Sequence, residues 1–168
     1  MKNFTSVHDV KYPVALIKEA IELKKSPYAH NHLGKNKTIG LLFLNPSLRT
    51  RLSSQKAAQL LGMNVMVMNM DKEGWALEWN DGAIMNSNKT EHIKDAAMVL
   101  STYFDMVGIR CFPTLTDREA DYSEHVIKQL IKYSTIPVIS LESATLHPLQ
   151  SLADSISIFE KWNKKNKT

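Results

Sequence analysis

Cysteine is almost missing from this chain: of 168 residues, Cys111 is the only one. A single thiol closes no internal disulfide, which excludes a stapled secreted scaffold and fits a reducing, cytoplasmic compartment. Long apolar runs are missing as well. No stretch approaches the roughly 18–20 residues needed to cross a bilayer, and the opening MKNFTSVHDV lacks the apolar segment of a signal peptide, so no membrane role is expected. An excess of one charge is also absent from most of the chain. Lys plus Arg is 21 against 17 Asp plus Glu, a formal +4, but four of the lysines sit in residues 161–168, KWNKKNKT. Residues 1–160 therefore carry 17 charges of each sign, and the excess is a basic tail rather than a basic face. No nucleic-acid partner is expected on that distribution. Internal repeats of 20–50 residues are lacking, as are low-complexity segments before the tail and the glycine loops GxxxxGK[ST] and GxGxxG. No cluster has a recognised metal-ligand spacing, so neither a metal nor an organic cofactor is expected.

What is present is the length and apolar content of one globular domain: 43% of the residues are hydrophobic and 23% charged. From residue 9 the pattern turns helical, with Pro13 suited to a first turn and Leu16, Ile17, Ala20, Ile21 and Leu23 recurring at spacings of three and four. Residues 38–44 form a short apolar run closed by Asn45-Pro46, the signature of a strand buried on both faces. A helical stripe over 49–61 stops at Gly62, a natural C-terminal position. The alternation continues with strands at 65–70, 106–110 and 137–141 and helices at 91–103, 122–133 and 148–162. Strands that each lead into a helix predict parallel β-α-β units in a three-layer α/β domain, with a central, mainly parallel four-stranded sheet flanked by helices. The long irregular stretch 71–89, holding Gly74, Trp75, Trp79 and Gly82, has the length of a functional or mobile loop.

The most informative segment is Asn45-Pro46-Ser47-Leu48-Arg49-Thr50-Arg51, which falls where a buried strand meets the next helix. The first turn of a helix offers unpaired N–H groups and the positive end of its dipole, a ready anion site. Ser47 and Thr50 add hydroxyls, and Arg49 adds a planar fork suited to phosphate. The plainer alternative is that Ser47 is only an N-cap and both arginines lie on a solvated face. Two other strand ends bear on the choice. Arg110 ends the third strand, and Glu142, His147 and Gln150 follow the fourth. Parallel strands bring their carboxyl ends to one edge, so a single edge gathers many donors and no evident nucleophile–base pair. Such a set suits chemistry by positioning and electrostatic stabilisation. The eight methionines read as adaptable core filler, and His92 and His125, on predicted helices, receive no role.

The segment F-L-N-P-S-L-R-T-R resembles the S-T-R-T-R carbamoyl-phosphate motif of aspartate and ornithine transcarbamylases, and H-P-L-Q at 147–150 resembles their H-P-C-Q or H-P-T-Q motif. FTSVHDV near the start and the loop GWALEW resemble more narrowly the N-acetylornithine and N-succinylornithine branch. The resemblance covers nearly all of residues 1–162. It implies that Ser47, the Leu48 backbone N–H, Arg49 and Thr50 hold the phosphate of carbamoyl phosphate. Thr50, Arg110 and His147 would face the carbonyl oxygen as catalytic groups, and Gln150 the carbamoyl amino group. It further implies that Trp75 reaches the phosphate site of a neighbouring subunit in a homotrimer with shared sites. Glu142 would lie near the acylated ornithine, and Asn88-Lys89-Thr90-Glu91 where acetyl and succinyl groups are told apart.

Three departures sharpen the expectation. Leu48 stands where the commoner motif has threonine, a small loss because the backbone N–H is what the family uses there. Leu149 in H-P-L-Q argues against the plain ornithine enzyme, and together with Leu48 favours the succinyl branch; Thr90 is less diagnostic. The family has two lobes, the second of which binds the amino acid. The expected organisation is therefore a carbamoyl-phosphate lobe at 1–147 and an inter-lobe helix with basic tail at 148–168. The second lobe would be missing, leaving binding of carbamoyl phosphate with little or no turnover. A competing expectation is a non-catalytic oligomerisation or regulatory module that keeps an anion pocket. The missing lobe favours that module; the set Arg49, Arg110, His147 and Gln150 opposes it.

Overall fold

A computed structural model describes residues 2–70, 75–86 and 88–165. Helix α1, Pro13–Lys25, starts on the proline, whose fixed φ suits a first turn. It is later than residue 9, because Val7–Asp9 forms a separate 3-10 turn with a reciprocal cap between Ser6 and Asp9. The stripe Leu16, Ile17, Ala20, Ile21 and Leu23 is half-buried, α1 contributes no fully buried residue, and Lys24 pairs with Glu160 at 2.9 Å.

Strand β1 is Thr38–Phe43, with residues 39–43 all buried, and it leads into α2, Leu48–Leu60. Next come β2, Asn64–Asn69, and two short strands, β3, Leu77–Glu78, and β4, Glu91–His92. Helix α3, Ile93–Tyr103, precedes β5, Met106–Arg110. Helices α4, Arg118–Tyr122, and α5, His125–Tyr133, precede β6, Val138–Glu142, and the described chain closes with α6, Pro148–Lys165. The main sheet has the order β2-β1-β5-β6 and every pairing in it is parallel, as the apolar runs predict. Phe4 pairs with the outer side of β6 through Val138 O and Ser140 N, both at 2.9 Å, so the N-terminal segment blunts that edge.

Both faces of the sheet are covered. On one, Leu42, Val107, Ile109 and Val138 meet Ala97 and Leu100 of α3 and Ile127 and Leu130 of α5. On the other, Ile39, Leu41, Phe43 and Leu141 meet Ala58 of α2, with Leu149 of α6 packed alongside. Fully burying an aliphatic or aromatic side chain is worth about 1.5–3 kcal/mol, which is why strands so apolar cannot sit at a surface. The methionines divide between these clusters and the surface, Met63 and Met70 buried and Met66 and Met98 exposed. Gly40 is a close approach, since a Cβ there would lie 2.4 Å from the buried Phe104 ring.

Three elements differ from the sequence expectation. The helix expected from residue 91 begins at Ile93, because Glu91 and His92 pair with Leu77 and Glu78 in a two-stranded parallel ladder. The helix expected over 122–133 is broken at Glu124, whose backbone is left-handed at φ 56° and ψ 38°. Helix α6 continues to Lys165, so much of the lysine-rich end extends a helix; residues 166–168 and Gly74 lie outside the described residues.

Gly62 ends α2 as expected, with φ 79°, and a Cβ there would stand 2.0 Å from the carbonyl oxygen of Asn31. Gly62→Ala therefore combines left-handed strain with a backbone clash, and urea unfolding is expected to show a loss of about 1–3 kcal/mol. A loss below about 0.5 kcal/mol would contradict that reading.

Candidate active site at the carboxyl edge of the sheet

The order β2-β1-β5-β6 fixes where a ligand can enter. After β1 the chain turns through α2 toward β2, and after β5 it turns through α5 toward β6 on the opposite side. The two connections part between β1 and β5, and in open parallel sheets that parting leaves a crevice at the carboxyl ends. Asn45-Pro46-Ser47 lines one side of it and Arg110 the other. Register places Asn69, Phe43, Arg110 and Glu142 in one row across all four strands, so this row is the floor of the edge.

Ser47 is the N-cap of α2. Its extended backbone precedes the helix, its Oγ accepts from the Thr50 N–H at 3.3 Å and donates to Thr50 Oγ1 at 3.0 Å. The first intrahelical bond runs from Arg51 N–H to the Ser47 carbonyl, which leaves the Leu48 and Arg49 amides at the open end of the helix. Leu48 and Arg49 are exposed, and Arg49 makes no ion pair or hydrogen bond among the described residues. Arg51 is different: it donates to Asn69 Oδ1 and its guanidinium lies 4.9 Å from the Phe43 ring, tying α2 to the sheet. The plain reading of two solvated arginines thus fails for Arg51.

Arg110 is 5% exposed, the most buried cation of the edge. Burying a guanidinium is costly unless its donors are met. Here Nη1 donates to the carbonyls of Asn45 at 3.2 Å and Pro46 at 3.0 Å, and Nη2 pairs with Glu142 Oε2 at 3.1 Å. The Phe112 ring covers one face at 3.8 Å. Nε is buried and has no partner among the described residues, so one donor of the guanidinium stays free. Glu142, expected near the acylated ornithine, is engaged first with Arg110.

At the start of α6, His147 caps the helix. Its Nδ1 accepts from the Gln150 N–H at 3.3 Å, and Pro148 occupies the first helical position. A neutral imidazole that accepts at Nδ1 carries its proton on Nε2, which makes Nε2–H the available donor. The Gln150 amide donates to Asp154 Oδ1 at 2.9 Å, one turn along the helix. Trp75 makes no hydrogen bond to either helix start among the described residues. Its indole donates to Glu91 of its own chain at 3.1 Å, and it lines a hollow of about 280 Å³ with Leu44, Met70, Trp79 and Lys89. Ser47, Leu48, Arg49, Thr50, Arg110 and Glu142 thus form one connected group. His147 and Gln150 form a second on the same edge, and Trp75 belongs to the loop beside them.

The sequence reading passed over several groups that hold this arrangement. Asn45 Oδ1 accepts from the Phe112 N–H at 2.6 Å while the Asn45 carbonyl accepts from Arg110, so one residue ties the α2 loop to the end of β5. Asp81 accepts from Lys132, Tyr133 and Gln129 of α5, and these donors, Lys132 first, hold its carboxyl far below the usual range. His92 accepts from the Lys94 N–H and reaches Asn80 O at 2.9 Å, while His125 reaches Trp79 O at 3.1 Å. Together they strap the loop of Trp75 to α3 and α5. The only sequence signals were Asn-Pro ahead of a helix start for Asn45 and a histidine just before an apolar helical run for His92. Burial, and secondarily the Glu124 carboxylate, pushes the Cys111 thiol up to about 12, against the pull of Arg110. Among the described residues, no group of three His, Cys, Asp or Glu side chains is placed to hold a metal ion, and no helix is long and apolar enough to cross a membrane.

Fold and site together define a parallel α/β domain with two helix N-termini and a buried arginine at the carboxyl edge of its sheet. Residues 2–160 match the family model described as aspartate/ornithine carbamoyltransferase, carbamoyl-P binding domain. The chain belongs to that family. It is 48% identical over 160 residues to the N-succinylornithine carbamoyltransferase of Bacteroides thetaiotaomicron, an alignment covering 95% of this chain and 50% of that protein. It is 37% identical over 151 residues to the N-acetylornithine carbamoyltransferase of Xanthomonas axonopodis pv. citri, covering 88% and 44% respectively. A crystal structure of acetylornithine transcarbamylase complexed with acetylcitrulline superposes with a TM-score of 0.91 at 35% identity, covering 97% of this chain and 48% of that one. The chain spans about half the length of the curated relatives it matches.

The Arg110 cage yields a stability test. Glu142→Ala leaves a buried guanidinium with backbone carbonyls alone; because Glu142 is partly open to water, urea unfolding is expected to show a loss of about 1–3 kcal/mol. A loss below about 0.5 kcal/mol would show that the pair contributes nothing to holding the edge. In the unaltered chain the Cys111 thiol remains protonated and shielded at pH 8, so a thiol reagent should label it only as fast as the chain opens. Labelling as fast as that of a free thiol would contradict its burial.

Proposed function

We propose that this chain is the carbamoyl-phosphate-binding half of an N-acylornithine carbamoyltransferase serving arginine biosynthesis. The observation that carries the reading is the joining of the α2 N-terminus to Arg110: Pro46, next to the N-cap Ser47, accepts from the Arg110 guanidinium. A phosphate held by Ser47, the Leu48 N–H, Arg49 and Thr50 then has its carbamoyl group beside a cation fixed by burial. Structures related to this one were obtained with carbamyl phosphate and N-succinyl-L-norvaline, one of them at a TM-score of 0.90 and 35% identity. The succinyl form of the amine is favoured here, on Leu48, on H-P-L-Q and on the higher identity to the succinylornithine enzyme.

In this reading the uncharged δ-amine attacks the carbamoyl carbon. The new C–N bond forms as the C–O bond to phosphate breaks, and the amine proton leaves with the phosphate. Negative charge grows on the carbonyl oxygen, where Arg110 Nε–H, His147 Nε2–H and the Thr50 hydroxyl are the donors. Removing one donor from such a site typically costs on the order of 10²–10³ in rate. Gln150 would exchange Asp154 for the carbamoyl amino group, and the α2 N-terminus and Arg49 favour the departing dianion. Glu142 serves both Arg110 and the incoming amine. Residues 1–147 make up the binding lobe and α6 the connection to an amine-binding half, without which turnover is slight or nil. The exposed Trp75 suits a contact across protomers of a homotrimer. A reducing, cytoplasmic setting is consistent with the lone, buried Cys111.

Calorimetric titration of the chain with carbamoyl phosphate tests the reading. Saturable binding is expected, and Arg49→Ala should weaken it by roughly 10–100-fold, the value of a charge-assisted phosphate contact. Absence of binding, or binding indifferent to Arg49→Ala, would sink it.

A further inference from the structure

The loop that carries His147 to the edge is held by a residue far from it in sequence. Glu124 sits between α4 and α5 with a left-handed backbone, an uncommon state for a residue with a Cβ. Its N–H donates to Asp121 O at 3.1 Å and its carbonyl accepts from Lys128 N–H at 3.1 Å, so the backbone is committed to the start of α5. The side chain does not cap that helix. Instead it crosses to the loop between β6 and α6. There Oε1 accepts from the Thr145 N–H at 2.8 Å and from Thr145 Oγ1 at 2.5 Å, and lies 2.9 Å from Ser143 Oγ. An ionised carboxylate makes such bonds shorter and stronger than neutral ones.

The same loop closes on itself just before the histidine. Ser143 N–H donates to Leu146 O at 2.8 Å, Ser143 Oγ is 3.1 Å from that oxygen, and the Leu146 N–H donates back to Ser143 Oγ at 3.3 Å. The next residue is His147, whose imidazole caps α6. Ser143 is buried and Thr145 exposed, so Glu124 grips the loop at one inner and one outer point. No other hydrogen bond from outside the loop to the side chains of residues 143–146 is present among the described residues.

We propose that Glu124 is a positioning residue: by gathering the donors of Ser143 and Thr145 it fixes the loop that aims the His147 imidazole at the carbamoyl end of the anion site. The inference rests on the carbamoyl-phosphate reading for its ligand, but not for its geometry. Glu124 touches neither the α2 N-terminus nor Arg49. Its loss therefore affects recognition of the carbamoyl carbonyl and spares that of bare phosphate.

The test compares Glu124→Ala and Glu124→Gln in the chain as it stands. In the ligand-free protein, nitrogen-15 NMR should show the Thr145 amide losing exchange protection in the alanine variant. The His147 ring nitrogens should also move from a fixed Nε2–H tautomer toward an averaged one. The glutamine variant, which keeps an acceptor at Oε1, should retain both signals. With ligand, affinity for phosphonoacetamide, a carbamoyl phosphate analogue with a methylene bridge, should fall about tenfold in Glu124→Ala, while affinity for inorganic phosphate stays unchanged. Unaltered Thr145 and His147 signals, or an equal loss of both ligands, would overturn the proposal. Should the unaltered chain bind neither ligand, the carbamoyl-phosphate reading falls while the ligand-free spectra still decide the role of Glu124. If the alanine variant does not fold, Thr145→Val, at an exposed position, removes the hydroxyl part of the same grip and is read from the His147 ring nitrogens and the two ligand affinities.

Discussion

A guanidinium buried at the end of the central strand is the constraint on which the rest of this edge depends. Arg110 lies on β5, between β1 and β6 in the sheet, where water is too scarce to solvate its charge. Every neighbouring connection contributes to its accommodation: the carbonyls of Asn45 and Pro46 from the β1–α2 loop, the carboxylate of Glu142 from the end of β6, and the ring of Phe112 from its own loop. A cation so enclosed cannot be moved without breaking contacts to two loops and the end of β6. Its remaining donor is fixed in place before any ligand arrives, which is the preorganisation that the proposed reaction calls for.

The sheet order turns this local arrangement into a site. Because β1 and β5 are neighbours whose connections leave in opposite directions, the start of α2 and the end of β5 face each other across one crevice. The β6–α6 connection reaches the same edge with His147 and Gln150. Helices α2 and α6 both begin on this edge, each with the positive end of its dipole there. The loop of Trp75 is attached from the side by Asp81, His92 and His125, all of which bond to groups on α3, α5 or the loop itself. Position comes from the core, whose apolar strands are rigid. In the proposed function, chemistry comes from side chains set where those strands end.

Much of the fold is legible in the sequence. Four apolar runs of strand length separated by helical stripes can only bury themselves in a parallel sheet covered on both faces, and Gly62 marked a helix end because only its left-handed backbone fits there. The helix start at Ser47 was legible because a polar, arginine-rich turn directly after a buried strand reads as an N-cap and first turn. The partnership of Arg110 with Glu142 was not legible, since it depends on register between strands 32 residues apart, with a shift in the ladder beside Arg110. Nor was the break at Glu124, where the helical pattern runs on through a residue whose side chain is needed elsewhere. The β3–β4 ladder is two residues long and has no periodicity to detect. His92 and His125 looked idle because their work is to bond backbone carbonyls of a loop distant in sequence.

In the proposed function the spare donor of Arg110 and the open amides of α2 meet one ligand. Arginine side-chain and backbone nitrogen-15 spectra, recorded while phosphonoacetamide is added, report both at once. The Arg110 Nε–H resonance and the Leu48, Arg49 and Thr50 amides should shift together with a single saturation curve. Shifts confined to the lysine-bearing end of α6, with the Arg110 Nε–H and the α2 amides unmoved, would contradict it.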